Sequence, residues 1–370
     1  MICHERKPYM KAGIITLCDP MSNYGNRLQN YALQEVLKKL DLEVTTYSVE
    51  GKEINLEDKA HKLFHAFTMY KFSKDKNVWT KGYERRLVFR KFNRDNINIK
   101  YIKNIDNLAE KEDFFVLGSD QVWNYKWYGD QPLKKELFLL TFAKDDQKVC
   151  FAPSFGVDYI EDIWKIWFKE NLQKIKYLSV REDAGRKIIE DLTGKSCPVV
   201  IDPTMMLNAD EWRKIEKKPQ RVDTDKKYIL TYFLGGKDVN VDDYLNSLSD
   251  KYNMPVYNLL DYNYPELYVS GPSEFLYLID NASLVLTDSF HACVFSFIFN
   301  KPFLVFKRQN KGNDMISRII TLLKKFNLER KYIENFESID VFEHDYSEGY
   351  RILNKERDKA LSFLSDAFNK

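Results

Sequence analysis

The sequence predicts a parallel α/β chain folded as two Rossmann-like halves, and three observations predict it. Short β-branched or aromatic runs alternate with amphipathic helical patterns along the chain. A polar stretch from Asp202 to about residue 225 interrupts that alternation near its middle, and a second alternating series follows. With 370 residues, the chain is long enough for two domains that each bury a core.

In the first half, strands are expected at 12–18, 43–49, 114–118, 149–152, 177–180 and 198–201. A helix from Arg27 carries Leu28, Ala32, Leu33, Val36, Leu37 and Leu40 on one face, and further helices are expected at 160–174 and 183–192. The second half reads as strands at 228–234, 256–260, 284–287 and 303–306. Its helices fall at about 240–252, 273–282, 290–299 and 314–326, and a last amphipathic helix at 350–368. The divisions are therefore 1–208, 209–345 and a terminal helix in 346–370.

Between Lys59 and Lys103 thirteen Lys or Arg stand against Asp75, Glu84 and Asp95, so this segment carries about +10 of a chain whose total is +2. It reads as a basic helical insertion at 57–103. Its aromatics, Phe64, Phe67, Tyr70, Phe72 and Trp79, suit an anionic membrane face. A nucleic-acid surface is the weaker reading, because no recognisable module accompanies the charge.

Several classes are excluded. The most apolar region, 292–306, is broken by Asn300, Lys301 and Pro302, so nothing spans a bilayer. The polar N-terminus lacks a secretory core, and either Met1 or Met10 can open the chain. The five cysteines are scattered without a C-x-x-C pair, as expected of free thiols in a cytoplasmic protein. No metal is expected: His61 and His65 share a helical spacing but lack a third ligand, and Asp223-Thr-Asp225 lies in the polar linker. There is no G-x-G-x-x-G, and Gly194-Lys195-Ser196 has Ile189 where a phosphate loop needs its first glycine.

Parallel α/β halves bind ligands where loops leave the carboxyl ends of strands. That rule selects Asn23–Asn26, Gly118–Trp123, Arg181–Asp183, Gly235-Gly236-Lys237 and Asp288–His291, with Lys307 and Arg308 ending a further strand. His291 opens an apolar helix whose free N–H groups favour an anion. Arg181 supplies a guanidinium and Asp120 a carboxylate, so the cleft suits an anionic small molecule and proton transfer.

The ordered pieces Gly13-Ile-Ile-Thr16, Asn23-Tyr-Gly25, Leu28-Gln29, Tyr31-Ala-Leu33 and Leu117-Gly-Ser-Asp-Gln-Val-Trp-Asn124 resemble the polysaccharide pyruvyl transferase family. So do Ser179-Val-Arg-Glu182, Asp202-Pro-Thr204, Thr287-Asp-Ser-Phe-His-Ala292 and Asn300-Lys-Pro302. The resemblance implies a GT-B-like pair of Rossmann domains with the C-terminal helix crossing back to the first. It also implies phosphoenolpyruvate as donor and a sugar of a bacterial polysaccharide, or of its lipid-linked precursor, as acceptor, with no cofactor.

On this reading His291, Asp120 and Arg181 are catalytic. Arg181, Ser289, His291, Lys307, Arg308 and Gly235 face the donor, and Asn23, Tyr24, Gly25, Asn26, Ser119 and Trp123 the acceptor. One departure stands out: many members carry Arg two residues before the histidine, where this chain has Ser289. The competing reading is a sugar-nucleotide-dependent glycosyltransferase of the same architecture, for which Glu266 and Glu274 have a suitable spacing. The glycine expected two places after Glu266 is missing, and Ser273 reads as a helix N-cap.

Overall fold

The computed structural model describes residues 10–18, 22–49, 76–128, 132–309, 316–334 and 340–369. Six strands form the first sheet: β1 (Lys11–Ile15), β2 (Glu43–Val49), β3 (Ile99–Ile102), β4 (Phe114–Leu117), β5 (Lys148–Cys150) and β6 (Tyr177–Leu178). They lie in the order 3-2-1-4-5-6, every pair parallel. The second sheet holds β7 (Ile229–Tyr232), β8 (Val256–Asn258), β9 (Leu284–Thr287), β10 (Phe303–Phe306) and β11 (Tyr332–Ile333). Its order is 11-10-9-7-8, again wholly parallel. Central strands such as β4 (FFVL) and β10 (FLVF) are buried along their whole length, which explains their continuous apolar sequence.

In each sheet the direction of winding reverses once, between β1 and β4 and between β7 and β9. Loops leaving the carboxyl ends of those strands diverge there and leave a crevice. The two crevices carry Asn23–Asn26 with Asp120, and Gly235 with Asp288–His291.

Aromatic packing joins the halves. Tyr24 stacks on Phe275 at 4.3 Å and meets Tyr232 edge-on at 5.4 Å, and its hydroxyl donates to the Ser270 carbonyl at 2.9 Å. Arg85, on the helix Lys76–Asn96, lies under Tyr24 and Tyr268 and donates to the Tyr24 hydroxyl and the Tyr268 carbonyl. The terminal helix, Ser347–Phe368, begins against the second half, where Tyr350 stacks on Phe297 at 5.0 Å. It ends against the first, where Phe368 meets Phe114 at 5.0 Å and Arg357 donates to the carbonyls of Met205 and Leu207. Among the described residues no helix is long and apolar enough to cross a membrane.

Three expectations are corrected. The segment 57–103 is not all helical insertion: 99–102 is the edge strand β3, paired Thr46↔Ile99 through Val49↔Ile102. Its Lys100 and Tyr101 face solvent at the sheet edge, so its composition resembles the basic helix before it. Residues 57–75, with His61, His65, Phe64, Phe67, Tyr70 and Phe72, lie outside the described residues. The run 198–201 makes one bridge, Val180↔Val199, just past the end of the two-residue strand β6. Finally, Gly271 rather than Ser273 caps the helix Pro272–Asp280, and the Glu274 carboxylate accepts the Gly271 N–H at 3.0 Å.

Arg85→Met should lower stability by about 2–3 kcal/mol, since it strands buried carbonyls and the Tyr24 hydroxyl. Urea midpoints of the variant and the parent check this; a loss under about 0.5 kcal/mol would mean that aromatic stacking alone holds the halves.

Candidate active site

Between the halves lies Asp202, which is fully buried. Its Oδ1 accepts the Thr204 N–H at 3.0 Å and the Thr204 hydroxyl at 2.7 Å. Its Oδ2 accepts from Ser119 Oγ at 2.7 Å and Arg181 Nη1 at 2.7 Å. From the opposite half, His291 Nε2 approaches that same oxygen to 3.8 Å. Burial pushes the Asp202 carboxyl up, but His291, Arg181 and Ser119 outweigh it and hold the group well below the usual carboxylate range.

Arg181 follows β6, where its N–H bonds the Pro153 carbonyl at 3.2 Å. Its guanidinium lies 4.6 Å from the ring centre of Phe290, on the second half. Nη2 is 3.8 Å from Asp120 and Nε 3.7 Å from Glu182, both too long for hydrogen bonds. Arg181 Nε and Nη2 and His291 Nε2 are thus buried polar atoms without hydrogen-bond partners. Such atoms are costly to bury and mark a place where a ligand's oxygens would be bound.

His291 lies in the first turn of the helix Phe290–Ile298. Ser289 caps that helix in extended backbone but makes no side-chain cap bond, which leaves the first-turn N–H groups available to an anion. Beneath the imidazole is Gly25, in the first turn of the helix Tyr24–Lys38; a Cβ there would overlap the ring. Gln29 and Gln34 of that helix bond Thr16 and Thr46, each at 2.8 Å, which fixes its height over β1 and β2.

Asp120 leaves β4 in the left-handed region at φ 71°, a conformation Asp tolerates better than most residues. This turns its carboxylate into the cleft, where Asn26 Nδ2 donates to Oδ2. Asp288 accepts the N–H groups of Leu234 and Gly235 at 2.6 and 2.7 Å, and its carbonyl accepts from Arg308 Nη2 at 3.1 Å.

Of the expected site residues, Arg181, His291, Asp120, Ser119, Asn26 and Gly25 come together, and Arg308 stands beside Asp288. Others are corrected. Trp123 is fully buried in the first core, with its Nε1 donating to the Phe138 carbonyl at 2.8 Å. Tyr24 is equally buried, in the seam between halves, and cannot meet an acceptor. Gly235 is a spacer: a side chain there would overlap Arg308. Lys307 is exposed at the end of β10, and Asn23 serves as N-cap, accepting the Asn26 N–H at 3.2 Å.

Sequence reasoning missed three residues as members of the site. Asp202 and Glu182 stood in recognised pieces, yet nothing in their spacing marks them as partners of Arg181. Arg318 comes from the helix Ile316–Lys325 of the second half, and Gln121 accepts from both its terminal nitrogens at 2.7–3.0 Å. Burial and the neighbouring Arg181 push its pKa down to about 10. An arginine one turn before Leu322 on an amphipathic helix is the signal that could have revealed it. Among the described residues no group of His, Cys, Asp and Glu could hold a metal ion.

Two substitutions probe this geometry. Gly25→Ala should keep the fold but displace His291, lowering turnover at least tenfold and stability by about 1–3 kcal/mol; unchanged turnover would mean that the ring is not held here. Asp202→Asn should cost about 3–5 kcal/mol at neutral pH by leaving Arg181 without its buried counter-charge. Because the folded pKa of Asp202 is depressed, its stabilisation is complete above the unfolded value near ~3.9 and fades as pH falls below it. Denaturant titrations at pH 7 and pH 3 should show the gap between parent and variant shrink; a constant gap would contradict the charge argument.

No curated protein sequence matches the chain. Solved structures similar to it include the UDP-GlcNAc 2-epimerase of Neisseria meningitidis, at 10% identity, covering 98% of this chain and 95% of that one with a TM-score of 0.45. The UDP-GlcNAc 2-epimerase of Methanocaldococcus jannaschii is 14% identical, covering 94% of this chain and 99% of its own with a TM-score of 0.42. A glycosyltransferase of Rickettsia africae is 11% identical, covering 98% and 95% with a TM-score of 0.43. The sequence profile of the polysaccharide pyruvyl transferase family matches residues 23–310, a span that includes Gly25, Asp120, Arg181, Asp202 and His291, and the chain belongs to that family.

Proposed function

We propose that this enzyme transfers the pyruvyl group of phosphoenolpyruvate to two hydroxyls of one sugar in a bacterial polysaccharide or its lipid-linked precursor, working at the cytoplasmic side of the membrane. One observation supports this above the others: Arg181 and His291, from opposite halves, converge on the same Asp202 oxygen, while Arg181 Nε and Nη2 and His291 Nε2 are buried without hydrogen-bond partners. A small, strongly anionic donor at the start of the helix Phe290–Ile298 would meet cationic and N–H donors together.

The chemistry follows from the positions of the groups. His291 Nε2 gives a proton to the donor's methylene carbon, which becomes the methyl group and leaves positive charge on the adjacent carbon. One sugar hydroxyl attacks that carbon and yields its proton to Asp120. The C–O bond to phosphate then breaks, with Arg181 and the helix N-terminus holding the departing anion. The second hydroxyl closes the ketal. Of the two hydroxyl protons, one replaces that spent on the methyl group and the other leaves with hydrogen phosphate. Asp202 stays ionised and steadies the charged imidazole, and no cofactor enters the balance.

The test is incubation with phosphoenolpyruvate and candidate saccharides, scored by acceptor mass and released phosphate. His291→Ala should lose ~10²–10⁴ in turnover and keep its melting temperature. Acceptor glycosylation from a sugar nucleotide, with phosphoenolpyruvate inert, would overturn the proposal.

A further inference from the structure

The helix Lys76–Asn96 divides its residues sharply around its circumference. Arg85, Phe89 and Phe92 face the fold and are buried. On the opposite side Tyr83, Arg86, Leu87, Arg90, Lys91 and Arg94 are all exposed. At about 100° per residue these six fall within roughly 140° of arc, so they form one continuous stripe. Tyr83 is 55% exposed and Leu87 44%, which is unusual for such side chains on a helix that has a core to face. Glu84 and Asp95 lie at the border of the stripe, where they pair with Lys81 and Arg94. The adjoining edge strand β3 adds Lys100 and a Tyr101 that is 55% exposed.

Four cations interleaved with an aromatic and an aliphatic side chain are more than solvation requires. The charge attracts an anionic surface over a Debye length, and Tyr83 and Leu87 can enter the headgroup layer while the arginines stay among phosphates. The stripe is far smaller than the 20–30 residues a side of a stable protein interface, which argues against a second copy of the chain. The same helix carries Arg85 into the seam between the halves, so a surface held by the stripe lies one helix away from the cleft.

We infer that the exposed stripe Tyr83–Arg94 seats the enzyme on an anionic lipid surface. The inference rests on the proposed lipid-linked acceptor for its purpose, though not for its physics. It calls for peripheral, salt-sensitive attachment without insertion across the bilayer.

Sedimentation of the full chain with vesicles of pure phosphatidylcholine, or of phosphatidylcholine with one-third phosphatidylglycerol, at 50 and 500 mM salt, tests it. Binding is expected to anionic vesicles at low salt only. Arg86→Gln, Arg90→Gln and Arg94→Gln combined should weaken it roughly a hundredfold, and Leu87→Asp alone should also reduce it. Circular dichroism and turnover on a soluble acceptor report whether these variants fold and keep their basal rate. Equal recovery in the supernatant under all four conditions would overturn the inference, as would binding indifferent to the substitutions or displaced by duplex DNA at equal phosphate. If vesicles bind as expected but phosphoenolpyruvate is inert, the surface stands and the donor assignment falls.

Discussion

A carboxylate taken out of water costs several kcal/mol unless its oxygens are fully paired, and Asp202 is paired on both. Oδ1 is filled by Thr204 of its own turn, so the carboxylate plane is fixed by local sequence. Oδ2 is shared by Ser119, Arg181 and the approach of His291. These groups come from two strand ends in one half and a helix start in the other. The carboxylate is therefore a point at which the two halves agree on a relative position, with His291 seated over Gly25 beside it.

The rest of the architecture keeps that agreement in register. Tyr24 and Arg85 close the seam on one side, and the terminal helix straps the other by contacting Phe297 in the second half and Phe114 in the first. Bonds from Arg357 to the carbonyls of Met205 and Leu207 anchor the strap just after Asp202. Strap and site thus meet on the short segment that joins the halves. Rigid support of this kind suits a reaction in which one proton donor must face one carbon.

How much of this was legible in the sequence differs by level. The strands at 284–287 and 303–306 are found where periodicity places them, because buried parallel strands are nearly pure apolar runs. β3 was hidden, since an edge strand with one wet face carries charges like those of the preceding helix. Arg181, His291 and Asp120 were legible because strand ends face the cleft in any parallel sheet. Asp202 was not, since a charged residue in a linker gives no sign of which distant side chains it will neutralise. Trp123 and Tyr24 misled for the opposite reason: they sit beside site residues in sequence, but each points into a core.

If Asp202 works through His291, the two must fail together. A double-mutant cycle on turnover, pairing Asp202→Asn with His291→Gln at fixed saturating donor and acceptor, measures this directly. Strong non-additivity is expected, with the double variant little slower than the slower single one. Rate losses that simply multiply would show that Asp202 and His291 act independently, and the carboxylate would then be no more than a support for Arg181.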